Sequence, residues 1–138
     1  GYLYAINPDG SQKWRRAIQG GTQASPTVGP DGTVYIGSSQ GKFYAYRPDG
    51  TTKYTAFAAG GAIASSAALA SDGTAYFGCD DGYLYAVKST GTQKWRFATN
   101  PLSQIKGSPA VGTAPSTSAH QTAISMPCGR AAHRDGAA

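Results

Sequence analysis

Apolar residues along positions 1–113 alternate with polar ones in short runs, and no window sustains the three-to-four spacing of a helix face. In TVYIG (33–37) Val34 and Ile36 point to one side of an extended chain and Tyr35 to the other; in GKFYAY (41–46) Phe43 and Ala45 oppose Tyr44 and Tyr46. Both sides of each run therefore carry apolar or aromatic bulk. Strands of that kind fit sheets covered on both faces, with Gly, Ala and Ser where neighbouring backbones crowd. The alternation and the Val, Ile, Tyr and Thr content predict strands over 25–28, 33–37, 41–46 and 53–58. Asn7-Pro8-Asp9-Gly10, Gly29-Pro30-Asp31-Gly32 and Arg47-Pro48-Asp49-Gly50 place Pro at the second turn position and Gly where positive φ is often needed. Connections this short make antiparallel hairpins.

The pattern recurs. GYLYAINPDGSQKW (1–14) returns as GKFYAYRPDGTTKY (41–54) and as GYLYAVKSTGTQKW (82–95), with repeat starts at 1, 41 and 82. ASPTVGPDGTVYIGSSQ (24–40) matches SSAALASDGTAYFGCDD (65–81), and a third copy opens as GSPAVGT (107–113) and stops. A unit of about 40 residues with four strands is the signature of a β-propeller blade. The expected fold is all-β, with blades of four antiparallel strands. Two blades are complete (24–59 and 65–98) and partial ones stand at either end. One chain would not close the ring, which takes roughly 4 to 8 blades. Residues 1–113 form the repeat region. The stretch 114–138 holds no Tyr, Trp or Phe and reads as a poorly ordered tail or as foreign sequence joined in mid-blade.

The unit GTVYIGSSQGKFYAYRPDGTTKY, with its relatives GTAYFGCDDGYLYAVKSTGTQKW and GYLYAINPDGSQKW, resembles the PQQ-like repeat of quinoprotein-type β-propellers. In that family an Ala, a polar residue and a Thr-Gly pair precede a Trp that docks neighbouring blades. Ala86, Lys88, Thr90, Gly91 and Trp95 match this with one residue less before the Trp, and Ala5, Asn7, Gly10 and Trp14 match more loosely. Tyr54 takes the Trp position in the middle copy. The role the resemblance implies for Trp14, Tyr54 and Trp95 is blade-to-blade packing. It also implies a bacterial or archaeal exported protein, periplasmic or secreted. Cofactor-dependent members hold a quinone through a calcium ion with a Glu ligand, adjacent cysteines and a catalytic Asp. This chain has no Glu, and Cys79 and Cys128 lie far apart, so no cofactor is expected.

Composition narrows the chemistry further. The 138 residues carry 12 Lys and Arg against 7 acidic groups, all of them Asp, for a net charge of +5. Both histidines, His120 and His133, fall within the last 20 positions, which disfavours a His-based triad, a His-rich metal site or a Glu-assisted metalloprotease. Lys13, Arg15 and Arg16 flank Trp14, and Lys94 and Arg96 flank Trp95, a grouping that would suit nucleic acid. Alternation instead turns Trp14 inward and Lys13 and Arg15 to water, and no dense basic run exists, so nucleic acid is not the expected partner. No apolar run approaches the ~20 residues that span a bilayer, so no membrane insertion is expected.

The carboxylates have a plain explanation. Asp9, Asp31, Asp49 and Asp72 each precede a Gly in the same turn context, where Asp forms the turn itself. Asp80 and Asp81 replace Ser39 and Gln40 of the preceding copy, and a surface cation site there competes with a polar hairpin tip, the reading favoured. Cys79 stands where Ser38 stands and is expected to be a buried, inert thiol. Two cysteines make no disulfide framework. The expected function is a non-catalytic scaffold or protein-interaction module, not an enzyme, associating with itself or another protein through open blade edges. Two other readings stay open. One is a fragment of a quinone-dependent dehydrogenase whose catalytic residues lie outside this chain. The other is a cell-surface sensor or carbohydrate-binding propeller whose tyrosines stack on sugars.

Overall fold

The computed structural model describes residues 1–99, 102–113 and 120–123. The described residues form twelve strands and no helix: β1 (Tyr2–Ile6), β2 (Gln12–Ala17), β3 (Thr27–Val28), β4 (Val34–Gly37), β5 (Lys42–Tyr46), β6 (Phe57–Ala58), β7 (Ala68–Leu69), β8 (Ala75–Gly78), β9 (Tyr83–Val87), β10 (Gln93–Ala98), β11 (Ala110–Thr113) and β12 (His120–Ala123). They pair antiparallel in the orders β1-β2, β3-β4-β5-β6, β7-β8-β9-β10 and β11-β12, which are blades I to IV in chain order. Blades II and III are complete. Among the described residues, blade I has the last two strands of a blade and blade IV the first two.

Alternation explains the stacking. On β4 and β5, Tyr35, Phe43 and Ala45 turn toward blade III and join Ala75, Phe77, Cys79, Tyr85 and Val87 in one core, sealed by Ile63. Ile36 and Tyr46 turn the other way and meet Leu3, Trp14 and Ile18 of blade I and its connection. Tyr76 and Ala86 on the far side of blade III pack toward Val111 of blade IV. The Phe43 and Phe77 rings stack across the II–III interface at 4.3 Å, and Phe77 stacks on Tyr85 at 5.4 Å. Burying each such ring contributes roughly 1.5–3 kcal/mol. Small residues set the blade spacing, as expected: a Cβ at Gly37 would lie 2.2 Å from Ile63 Cγ2, and one at Gly78 2.2 Å from Ile105 Cγ2.

Hydrogen bonds repeat across blades at the start of each first strand. The Ser25 N–H donates to Ser66 Oγ at 3.0 Å, and the Ser66 N–H donates to Ser108 Oγ at 2.9 Å.

Two elements differ from the sequence reading. The strand over 53–58 is regular only at β6, with an isolated bridge between Tyr46 and Thr52. In blades I and III the residue opposite the strand-centre alanine and the next inward residue are two apart (Trp14 and Arg16; Trp95 and Phe97), whereas Tyr54 and Phe57 are three apart. The extra residue breaks the ladder as a bulge does. The second difference lies beyond 113, where no alternation was visible. There β12 pairs with β11, Ala110 opposite Ala123 and Thr113 opposite His120. Backbone ladder bonds need no apolar pattern, which is why composition concealed this strand. The rest of 114–138, with Cys128, lies outside the described residues.

Candidate interaction surface

The three aromatic positions singled out in the repeats occupy one structural station, at the outer strand where a blade meets its successor. Trp14 is 8% exposed and donates its indole N–H to the Pro48 carbonyl of blade II at 2.9 Å. A Cβ at Gly50 would lie 2.8–3.0 Å from Trp14 Cγ, Cδ1 and Cδ2, so the indole covers the bare α-carbon of that glycine. Gly50 has φ +89°, which an L side chain also resists. Tyr54 covers Gly91 of blade III in the same way, its Cγ 2.5 Å from the Cβ position. The mimicry is incomplete: the Tyr54 hydroxyl is buried without a hydrogen-bond partner, and burial pushes its pKa upward. Trp95 covers no such glycine among the described residues. It tilts against Tyr76 of its own blade at 5.6 Å and remains 37% exposed.

Docking glycines were not recognisable as such in the sequence. The signal that could have found them is the near-constant offset between each aromatic and the next copy's turn, 36 residues from Trp14 to Gly50 and 37 from Tyr54 to Gly91.

Open faces follow from this arrangement. On blade I, Tyr2, Tyr4 and Ile6 point away from blade II, and Tyr4 is 50% exposed. Their counterparts Tyr44 and Tyr46 are packed against blade I. At the other end all six residues of β10 are exposed, Phe97 by 59%, with Leu102 beside them. The counterpart of Phe97, Phe57, meets Phe77 and Tyr85 edge-on in blade III. The basic residues take the places alternation assigned: Lys13 and Arg15 lie exposed on β2, and the Arg15 guanidinium sits 4.6 Å over the Tyr2 ring. Arg16, between them and the core, donates to the Gly50 carbonyl.

The carboxylates are engaged in structure. The Asp9, Asp31, Asp49 and Asp72 side chains accept the backbone N–H two residues on, from Ser11, Thr33, Thr51 and Thr74, at 2.9–3.0 Å. At Asp9 and Asp49 the neighbouring hydroxyl, then the backbone N–H, holds the pKa below the usual range. At Asp31 and Asp72 the backbone N–H has the larger effect. Asp81 closes the same kind of turn on the Tyr83 N–H at 3.0 Å and accepts the Tyr85 hydroxyl at 2.6 Å, while Asp80 takes both its contacts from the Lys106 ammonium, at 3.0 and 2.9 Å. The two candidates for a cation site thus face different protein partners. Cys79 is buried, its Sγ 3.2 Å from the Gly61 carbonyl, and burial pushes its thiol up to about 12. This donor set does not fit a calcium-held quinone: among the described residues no three His, Cys, Asp or Glu side chains converge.

Four-stranded antiparallel blades stacked face to face in register, with repeated aromatic docking, define a segment of a PQQ-like repeat β-propeller. The chain belongs to the family described as outer membrane protein assembly factor BamB, whose model matches residues 1–137. The fold is similar to the crystal structure of BamB from Moraxella catarrhalis, with TM-score 0.64 and 16% identity, over 72% of this chain and 30% of that one. It is also similar to a protein of unknown function from Bacteroides caccae, with TM-score 0.57 and 16% identity, over 88% of this chain and 45% of that one. In sequence, 53 residues are 40% identical to the uncharacterized protein YxaL of Bacillus subtilis (strain 168), covering 37% of this chain and 13% of that protein. The chain thus spans less than half the length of each.

Proposed function

We propose that this chain is a non-catalytic β-propeller scaffold that binds polypeptide through the open faces of its partial blades, in an extracytoplasmic compartment. One observation carries the reading: Tyr4 and Ile6 at one end and Trp95 and Phe97 at the other are exposed, whereas their counterparts in the complete blades pack against a neighbouring sheet. Apolar patches of this kind mark binding sites, and an unpaired strand edge accepts a further strand. Family membership supports the reading, since the family takes its description from an outer membrane protein assembly factor. The non-catalytic part is supported by Asp side chains committed to turns and an ion pair.

The test is a fluorescence titration of the chain with an extended peptide of alternating aromatic and polar residues. Saturable quenching is expected, absent with a scrambled peptide that breaks the alternation. No response to either peptide, or pyrroloquinoline quinone retained with calcium through gel filtration, would overturn the proposal.

A further inference from the structure

The junction of blades II and III holds a cavity of about 320 Å3 at the end of the blades that carries the Asp-Gly turns. That is the small end of the roughly 300–1,000 Å3 range of ligand pockets and suits a single sugar-sized ring. Blade II lines it with Asp31, Tyr35 and Lys53, and blade III with Leu69, Ser71 and Ser89. We propose that this cavity is a binding site for a neutral polyhydroxylated ligand, the ring of a monosaccharide, held through two adjacent hydroxyls. The inference goes beyond the polypeptide reading, because the lining residues belong to the two complete blades and none lies on an open face.

The polar groups set the ligand class. The Lys53 ammonium stands 3.4 Å from Asp31 Oδ2 and donates to the Tyr35 hydroxyl at 3.3 Å. Tyr35 is 3% exposed, and its own O–H meets no acceptor among the described residues. A charged donor and a charged acceptor thus stand side by side, next to a buried phenol proton available for a bond. Vicinal hydroxyls satisfy that arrangement, since each can accept from the ammonium or the phenol and donate to a carboxylate. Competing ligand classes fail on charge. An anion would face the carboxylates of Asp31 and Asp72, and an organic cation the Lys53 ammonium. A metal ion would find only those two carboxylates in the lining, each with one oxygen on a turn N–H and the other near a lysine. Leu69 supplies apolar surface for the C–H face of a ring.

Comparison of the repeats shows that this wall is unlike the one before it. Ser71 and Ser89 stand where blade II has Pro30 and Pro48. Pro48 comes within 2.6 Å of the Cβ position of Gly32, and its carbonyl receives the Trp14 indole N–H. Tyr54, in the place of that Trp, has no ring N–H to give to the Ser89 carbonyl. Two apolar rings and an indole hydrogen bond on blade II are replaced on blade III by two hydroxyls and a carbonyl without that bond. Lys53 is also the more enclosed of the two paired lysines, its side chain 19% exposed against 38% for Lys94.

Calorimetric titration of the full chain with D-glucose, D-mannose, D-galactose and their methyl glycosides tests the site. Saturable binding of at least one sugar is expected, and none of tetrahydropyran-2-methanol, which keeps the ring and lacks the diol. A glycan end keeps binding when the anomeric oxygen is capped, and a free sugar held at that hydroxyl does not, so the two forms distinguish the source. Lys53→Met should weaken binding by about tenfold or more, as the loss of a charged hydrogen bond does, and Tyr35→Phe by about threefold, as the loss of a neutral one does. Ser71→Pro with Ser89→Pro, which installs the residues of the preceding blade, should abolish binding with the far-UV circular dichroism unchanged. Lys13→Met, at the Lys53 station of the first copy, should bind as the wild type does. No saturable binding of any of these sugars overturns the proposal, as does an affinity unchanged in Lys53→Met. The alternating-peptide titration reads the open faces separately, so a failure there leaves this site standing.

Discussion

The indole of Trp14 covers Gly50 of the following blade and hydrogen-bonds the Pro48 carbonyl at 2.9 Å, so one side chain sets both the distance and the rotation between two blades. Trp14→Ala is expected to cost about 3–5 kcal/mol in denaturant unfolding, the range for removing a large buried aromatic. Gly50→Ala should destabilise through the clash with the indole and the positive φ, by about 1–3 kcal/mol for the backbone alone. If Gly50→Ala unfolds at the wild-type midpoint, the contact is not a constraint.

Tyr54 occupies the same station with a hydroxyl that finds no partner. Tyr54→Phe removes that group and is expected to be neutral or stabilising by about 1 kcal/mol, because a buried unmade hydrogen bond is costly. Tyr54→Trp should gain stability by directing an N–H at the Ser89 carbonyl, the counterpart of Pro48. A loss above about 1 kcal/mol in Tyr54→Phe, measured by urea unfolding, would mean that the hydroxyl is bonded after all.

Acid should weaken the fold through its turns. The folded pKa values of Asp9, Asp31, Asp49 and Asp72 are lowered by their turn hydrogen bonds. Their stabilisation is therefore present above the unfolded value of about 3.9 and is lost as pH falls through the folded values. The melting temperature should hold between about pH 5 and 7 and fall below about pH 4. Replacing all four by Asn keeps the acceptor oxygen and removes the titration, so the acid limb should flatten; an unchanged limb would assign acid unfolding to other groups.

Cys79 acts in the opposite direction. Its folded pKa is raised to about 12, so its contribution is complete below the unfolded thiol value near 8.5 and is lost as pH rises toward the folded value. The native thiol should resist an aromatic disulfide reagent at pH 8 and react only on unfolding. Cys79→Ser should change stability by less than about 1.5 kcal/mol, as conservative exchanges at adaptable sites do, because Ser38 fills the equivalent buried position. Rapid reaction of native Cys79 would contradict its burial.

Most of this fold was legible because it is written several times. The alternation of Val34, Tyr35 and Ile36 announced a strand covered on both faces, and the in-register copies announced blades. Reading Trp14 as inward and Lys13 and Arg15 as outward needed only the period of a strand. What stayed hidden depended on contacts between copies rather than on pattern within one. Gly50 and Gly91 looked like turn residues only, though their bare α-carbons also receive an aromatic. Asp81 stood out as a weak candidate ligand because Asp80 and Asp81 replace Ser39 and Gln40 of the preceding copy; its carboxylate closes a turn on the Tyr83 N–H and takes the Tyr85 hydroxyl. The β6 irregularity comes from one added residue between Tyr54 and Phe57, and β12 from backbone pairing that leaves no mark on composition.

The serine bonds from Ser25 to Ser66 to Ser108 give the stacked blades a sense of direction, since each link runs from an amide in one blade to a hydroxyl in the next. Two like ends brought together would oppose donor to donor or acceptor to acceptor and gain nothing. Any addition to the array, whether a further repeat or another molecule, must therefore enter in the same orientation as the blades already there. Reversing it would forfeit the link at the inner edge even where the aromatic faces still met.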